Sequence, residues 1–312
     1  MVIIAVLGVL SIIMILNIQL SSDTLYNVKY LESLKARESA YYLSVSAVRD
    51  CITLLQQEKS VDLTKKDGTD SLNDLWNRPI PLITVDDFTI NIEIEDLERY
   101  FAVNSIVNDG KIDETHLGQL KRLLASKEID ENLANSIADW VDYDETITEP
   151  GGSETPKKGL KKIKNAPLDS IEEIYNIEGI NGEILPRKWI GKRSDSEKNE
   201  QILCDTNAGK VNINTADIDV LMSLDERITE VIANEIKKQR DSKPFEQLRD
   251  LDSVPGLEKE SGITEKISNL ADVKSKYFKI KIEVNKAEEK NIMTCILTRE
   301  GSTVNVVSWK AE

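Results

Sequence analysis

Carboxylates crowd one stretch of this sequence: Asp139-Trp140-Val141-Asp142-Tyr143-Asp144-Glu145, followed by Glu149-Pro150-Gly151-Gly152-Ser153-Glu154. Carboxylates at alternate positions, leaving a helix into a Gly-rich turn, can converge on a hard cation, and calcium takes about six to eight oxygens from flexible loops of this sort. The segment is not an EF-hand loop. Counted from Asp142, position six is Ile147 where that loop requires Gly, and position twelve is Ser153 where it requires Glu. The same residues also read as a solvated acidic helix end with Asp139 facing water, and spacing alone does not choose between the two.

A second segment carries a recognisable pattern. Val211-Asn212-Ile213-Asn214-Thr215-Ala216, a helical stretch, Pro244-Phe245 through Leu251, and Val254-Pro255-Gly256-Leu257 together resemble the helix-hairpin-helix, a module whose Gly-rich hairpin offers backbone N–H groups to phosphate. The first hairpin, Ser223-Leu224-Asp225-Glu226-Arg227-Ile228, has no Gly and two carboxylates where phosphate would sit. Between Val211 and Glu260 twelve acidic residues face seven basic ones. Binding to a phosphate backbone is mostly electrostatic and needs clustered cations, so the expectation is a packing element without nucleic-acid function. Enzyme chemistry finds no support: the single His116 falls in the first turn of an expected helix and reads as solvated, and no Ser or Cys motif with a His partner, phosphate-cradling Gly loop or CxxC occurs.

The elements that must position these segments begin with an apolar run. Val2 to Leu20 is interrupted only by Ser11, Asn17 and Gln19, and as a helix it would be about 28 Å long, enough to span a bilayer core of about 30 Å. No Lys or Arg precedes the run, which speaks against a cleaved secretory signal. Ser21 to Glu58 has neither Pro nor Gly and keeps Leu25, Val28, Leu31, Leu34, Tyr42, Val45, Val48, Ile52 and Leu55 at helical spacing. One helix of about 85 Å is therefore expected, half in lipid and half laid on a globular body.

After a polar loop from Lys59 to Leu75 the period changes to two. Phe88, Ile90, Ile92 and Ile94 alternate with polar residues, as do Phe278, Ile280, Ile282 and Val284; a polar connector from Asn285 to Asn291 leads to strands at Ile292–Thr298 and Thr303–Trp309. Between Asp109 and Val273 the pattern reads as almost wholly helical, with Asp113 and Asp130 as caps and Ser170-Ile171-Glu172-Glu173 as a capping box. The fold class is α+β: a pilin-like long N-terminal helix packed on an antiparallel sheet, with a large α-helical domain inserted between strands. Its divisions are a transmembrane part at 1–20, an amphipathic continuation at 21–58, the first part of the sheet at 59–108, the insert at 109–273 and the C-terminal strands at 274–312. The net charge of −15 over 312 residues disfavours nucleic acid as a partner. Cys51, Cys204 and Cys295 make neither a framework nor a metal-ligand pair, and spacing leaves open whether Cys204 and Cys295 pair.

Taken in order, these pieces resemble the K-type minor pseudopilins of type II secretion, the general secretion pathway protein K family. The likeness is carried by the apolar helix, Ala138-Asp139-Trp140-Val141-Asp142-Tyr143-Asp144, Gly151-Gly152-Ser153-Glu154, Lys164-Asn165-Ala166-Pro167 with Glu172-Glu173-Ile174, Asn212-Ile213-Asn214-Thr215-Ala216, Pro244-Phe245 and the terminal Ser275-Lys276-Tyr277-Phe278 strand. It implies a pilin fold with an inserted α-domain, processing by prepilin peptidase, a single-pass inner-membrane anchor with a periplasmic body, and a place at the tip of a short pseudopilus beside I- and J-type minor pseudopilins and other pseudopilins. It also implies calcium bound in the α-domain, with Asp142, Asp144 and Glu154 as the corresponding ligands. Two features depart from the family pattern. The basic leader ending in Gly is absent, and no acidic residue precedes Asp23 where most pseudopilins place a Glu. That second absence suits a tip subunit, which has no subunit above it to pair with such a carboxylate. The alternative is a membrane-anchored helix-hairpin-helix protein that binds DNA, of the competence type, which neighbouring genes would distinguish.

Overall fold

In the computed structural model, which describes residues 2–61, 68–157, 159, 162–191, 200–287 and 289–311, the apolar run and its continuation form one helix, α1 (Val2–Val61). The described side chains of its first half are exposed, and the helix is long and apolar enough to cross a membrane. Contact with the body starts at Ser33, whose Oγ donates to Glu289 Oε1 at 2.6 Å, and burial starts at Ala36. From there Ala36, Ala40, Ser44, Ala47, Cys51 and Leu55 are buried at spacings of three and four, a face of mostly small side chains that lets the helix backbone approach the sheet closely.

The sheet has five antiparallel strands in spatial order β1 (Ile83–Val85), β2 (Phe88–Asp96), β3 (Tyr277–Lys286), β4 (Glu289–Glu300) and β5 (Thr303–Ala311). The expected alternation holds in detail. Phe88, Ile90, Ile92 and Ile94 of β2, Phe278, Ile280, Ile282 and Val284 of β3, and Met293, Cys295 and Leu297 of β4 are buried against α1, while Glu93 and Glu95 stand opposite Lys281 and Lys279 on the other face. Trp76 closes the core edge-on to Phe278, with ring centroids 5.5 Å apart. Two details differ from the sequence reading. β1 is a three-residue exposed strand joined to β2 through Asp86 at φ 49°, too short and too exposed to leave a periodic signal. The connector expected at Asn285–Asn291 is mostly strand, since Asn285 pairs with Lys290 and Lys286 with Glu289.

The chain leaves this sheet after Asp96 and returns at Tyr277. The intervening residues build a second core on α2 (Glu114–Ser126), α3 (Leu133–Val141), α4 (Ile218–Ser223), α5 (Glu230–Ser242) and α6 (Ile263–Lys266). Asp113 caps α2 as expected, its carboxylate accepting from Thr115 N at 2.8 Å and His116 N at 3.3 Å. Asp130 does not cap α3; it accepts from Asn132 N at 3.0 Å in the turn before it. Much of the insert is irregular or 3-10 rather than α-helical. At Ser170, where a capping box implied an α-helix, Ile171–Asn176 is 3-10. Ile171, Ile174, Ile177 and Ile180 recur every three residues and all four are buried, a spacing that lines up on one side of a three-residue turn but drifts around an α-helix.

The two cores are joined through a buried polar knot. Asp96, at the end of β2, accepts on Oδ2 from Thr215 Oγ1 (2.6 Å) and Asn212 Nδ2 (3.4 Å) of the insert and from Ser275 Oγ (2.7 Å), and on Oδ1 from Glu98 N (2.8 Å). Glu98 accepts from Lys276 N at 2.6 Å and Tyr277 N at 3.2 Å. Asp70 accepts from Ser275 N at 2.8 Å and pairs with Arg299 of β4, whose guanidinium lies 4.7 Å from the Phe278 ring centroid. Asp70, Asp96, Glu98 and Arg299 are all almost fully buried. Burial pushes the Asp96 carboxyl up to about 6 against its hydrogen bonds, and pushes Glu98, beside Asp96, up to about 8.

Candidate functional site

The acidic segment begins on α3. Its buried face, Ala134, Ile137, Ala138 and Val141, fixes the helix in the insert core, and the same burial carries Asp139 inside at 0% exposure. The reading of Asp139 as a solvated residue is therefore overturned: one turn before the helix end, it points toward the loop that follows rather than to water. Asp142 ends the helix with an extended backbone, ψ 179°, its N–H bonded to Ala138 O at 2.9 Å.

The loop folds back over these two carboxylates. Thr148 N donates to Asp139 Oδ1 at 3.0 Å, Asn135 Nδ2 to Pro150 O at 2.6 Å, Ser136 Oγ to Gly151 O at 2.8 Å, and Gly152 N to Thr148 O at 3.0 Å. Gly152 is required because a Cβ there would collide with Asp139 Oδ2 and Thr148 O. Asp144 caps its own turn through Thr146 N at 2.7 Å, and Asn165 bridges Asp144 O and Glu154, donating to Glu154 Oε2 at 3.5 Å.

Among the described residues, four buried oxygens of α3 and its following segment find no hydrogen-bond donor: Asp139 Oδ2, Asp142 Oδ1, Glu154 Oε1 and Asn165 Oδ1. Buried acceptors are ordinarily satisfied, so four together on adjoining residues are unusual. The electrostatics agree. Burial, then Asp144, Asp139 and Glu154 in turn, push the Asp142 carboxyl up to about 7. Burial also raises Glu154, with Asp139, Asp144 and Glu145 adding to it and the Asn165 hydrogen bond opposing. The structure thus brings Asp142, Asp144 and Glu154 into one electrostatic neighbourhood and adds Asp139 and Asn165, which sequence reasoning missed. The i, i+3 spacing of Asp139 and Asp142 on one helix face was the available signal. Among the described residues no three carboxylate, His or Cys side chains already stand at metal-ligand spacing.

Leu25, Val28, Leu31 and Leu34 lie on α1 between the apolar span and the body, and are 64, 46, 62 and 43% exposed. His116 is not solvated. Its Nδ1 lies 3.2 Å from Asp113 Oδ2 and its Nε2 2.7 Å from Gly209 O, so it ties α2 to the Gly209 loop.

The helix-hairpin-helix segment turns its own charges inward. Asp225 in the first hairpin is 1% exposed and accepts from Arg227 N at 3.0 Å, Arg227 Nε at 2.8 Å and Lys266 Nζ of α6 at 2.7 Å, while Arg227 Nη1 donates to Ser261 O at 2.7 Å. In the second hairpin Gly256, at φ 92°, gives its N–H to Glu258 Oε1 at 3.0 Å. The chain's own carboxylates hold the amides and cations that an incoming phosphate would use.

Comparison with known proteins gives three findings. The family model for type II secretion system protein K matches residues 100–187, and the model for the helix-hairpin-helix motif matches residues 206–262. Type II secretion system protein K of Pseudomonas aeruginosa (strain PAO1) is 31% identical over 94 residues, and that stretch spans 28% of this chain and 28% of the relative's length. A chain in the crystal structure of the GspK-GspI-GspJ complex from the enterotoxigenic Escherichia coli type 2 secretion system superposes with a TM-score of 0.73 at 17% identity, covering 90% of this chain and 98% of that one. At that identity the likeness is one of fold, and it confirms the α+β arrangement of long helix, antiparallel sheet and inserted helices.

Proposed function

We propose that the chain is a member of the type II secretion system protein K family, whose model matches residues 100–187, and that it is a minor pseudopilin at the tip of the type II secretion pseudopilus, acting in pseudopilus assembly and in protein export across the outer membrane. The observation that carries this reading is the combination of one unbroken helix, apolar over Val2–Leu20, with a pilin-like sheet and an inserted domain. The helix anchors the chain in the inner membrane and the body lies in the periplasm, after processing by prepilin peptidase. The structural relative assembles with GspI and GspJ; here I- and J-type partners, and other pseudopilins, would cover the exposed stripe at Leu25, Val28, Leu31 and Leu34, which lipid no longer covers. Co-purification of the portion from Ser22 onward with I- and J-type partners should be strong for the native sequence and lost for Leu31→Asp. An undiminished complex in the variant would remove the stripe as the assembly surface.

The α-domain loop fits calcium in donor chemistry: Asp142, Asp144 and Glu154 would hold the ion, with Asp139 and Asn165 adding unsatisfied oxygens, all hard donors. A bound divalent cation would neutralise the mutual repulsion of these carboxylates, and the loop would close on it from a state in which they are not yet at ligand spacing. At a hundredfold excess over Kd the ion should stabilise the folded protein by roughly 2.7 kcal/mol. Thermal melts in calcium and in chelator should therefore differ clearly, and Asp142→Asn/Asp144→Asn should abolish the difference. Equal midpoints for the native sequence would leave an acidic loop without a metal.

The competence-type reading is disfavoured by the inward-turned hairpins. Non-specific DNA binders have Kd of about 10⁻⁴ to 10⁻⁶ M at physiological salt, tightening as salt falls. No binding to duplex or single-stranded DNA is expected even at about 50 mM salt. Micromolar binding that weakens with salt and disappears in Lys237→Glu/Lys238→Glu would reverse this.

A further inference from the structure

We propose that the cleft between the α2–α3 turn and the 178–189 segment is a docking groove for another polypeptide, one that presents an extended segment with an apolar anchor flanked by lysine or arginine. The cleft has a volume of about 790 Å³, the size of a built binding site. Its two banks come from parts of the chain some fifty residues apart in sequence. They meet at Lys127, whose Nζ lies 5.6 Å from the Trp189 ring centroid, and again at Leu133, whose Cδ1 stands 3.6 Å from where Gly179 would carry a Cβ. Loop 149–153 closes a third side, held by the 2.8 Å bond from Ser136 Oγ to Gly151 O.

The floor is apolar. Ile129, Leu133 and Trp189 pack against the insert core yet stay only half-buried, Pro186 is half-buried as well, and Ile184 is 39% exposed. Apolar residues gathered in one concave site and rimmed by polar ones mark a surface that a partner covers, whereas singly scattered ones do not. A seat of this kind takes one or two apolar side chains, the anchors that dominate docking.

The rim decides what covers the floor. Glu128 and Asp130 stand on one bank and Glu178 and Glu183 on the other; all four are exposed, and among the described residues none is in an ion pair. The cation of the cleft, Lys127, is already bound to the Asp219 carboxylate. With carboxylates on both banks and a net charge of −15 over the chain, the cleft attracts cations and repels acidic ligands. A bare metal ion or a polyamine would pair with the rim and leave the floor wet, and a neutral small molecule would cover the floor and leave the rim unpaired. A basic segment with an apolar anchor does both, since Lys and Arg lay apolar stems along such a floor while their charged ends reach the carboxylates. Asp139, Asp142, Asp144 and Glu154 do not line the cleft, so the groove is a site separate from the acidic loop.

The test uses the full chain in phosphatidylcholine nanodiscs, whose zwitterionic lipid offers a cationic probe no net charge. A rhodamine-labelled Lys-Lys-Leu-Phe-Lys-Lys peptide is titrated and followed by fluorescence anisotropy, with empty nanodiscs as the baseline. One saturable site is expected. Ile184→Arg, which puts a charge on the floor, and Glu178→Lys/Glu183→Lys, which reverses one bank, should each weaken binding about tenfold or more, whereas Glu260→Lys/Glu265→Lys, outside the cleft, should change it less than about twofold. All five positions are exposed, so the substitutions leave the fold intact, which matching far-UV circular dichroism checks. A companion peptide with Gly-Ser in place of Leu-Phe should bind about tenfold more weakly. A companion that binds as tightly, or displacement of the anchored peptide by spermine at the same concentration, would mean cation adsorption on an acidic surface. Absence of saturable binding, or binding indifferent to Ile184→Arg, would remove the cleft as a docking site.

Discussion

Replacing Arg299 by Ala is expected to cost the folded body about 3–5 kcal/mol, the usual penalty for removing one partner of a buried ion pair. The guanidinium is 2% exposed and is the buried cation paired with Asp70, whose side chain is 5% exposed. Without it the Asp70 carboxylate keeps the Ser275 N–H but loses its countercharge, in a knot that also holds Asp96 and Glu98. The cationic contact to the Phe278 ring goes as well. Urea unfolding of the portion from Ser22 onward measures the loss. Neutralising the orphan, in Arg299→Met/Asp70→Asn, should recover more than half of it, because the cost lies mainly in the unpaired charge rather than in the lost bond. A single variant within about 1 kcal/mol of the native protein would mean that water or a shifted side chain compensates Asp70, and the knot would not be the joint between the two cores.

How much of this was legible in the sequence depended on period and burial. α1 and strands β2, β3 and β4 announced themselves because each buries one face along many residues, and the 3.6 or two-residue repeat survives as a pattern, whereas β5 buries only Val304 and reads as the strand that follows β4. Strand β1 and the 3-10 segment at Ile171–Asn176 did not, being too short, or spaced by three, to resemble either template. At the candidate site the acidic cluster was visible as composition, and Asp142, Asp144 and Glu154 were named through likeness to a family. The side to which Asp139 turns was left open, because whether a helical carboxylate faces water or a neighbouring loop depends on where Thr148 and Gly152 return, a contact made nine and more residues later. The knot was invisible for the same reason. Asp70, Asp96, Asn212, Thr215, Ser275 and Arg299 come from distant parts of the chain and share no local pattern; only the fold brings their charges together.

That knot also sets the sign of the pH dependence. Burial raises Glu98 from its ordinary 4.5 to about 8 and Asp96 from 3.8 to about 6, so between these limits the folded state holds protons that the unfolded chain has released. Stability is then fully present below the unfolded values and falls as pH rises through the folded ones, from about 4.5 to about 8 for Glu98, at about 1.4 kcal/mol per pH unit for each group that differs. For Glu98 the full interval is on the order of 5 kcal/mol. Carboxyls held low, such as Glu95 beside Lys279 and Asp225 beside Arg227 and Lys266, act in the opposite direction but below the ordinary carboxyl range, and so leave this window alone. Asp142 adds to the decline in chelator, where burial and its acidic neighbours hold it near 7, so the measurement belongs in Asp142→Asn protein. In that background, urea midpoints should fall steadily from pH 5 to pH 8, and Glu98→Gln, which keeps an acceptor for Lys276 N and Tyr277 N but cannot ionise, should flatten the curve by about one proton's slope. A Glu98→Gln profile parallel to its parent would show that Glu98 is ionised throughout, with Lys276 N and Tyr277 N sufficient to hold its charge.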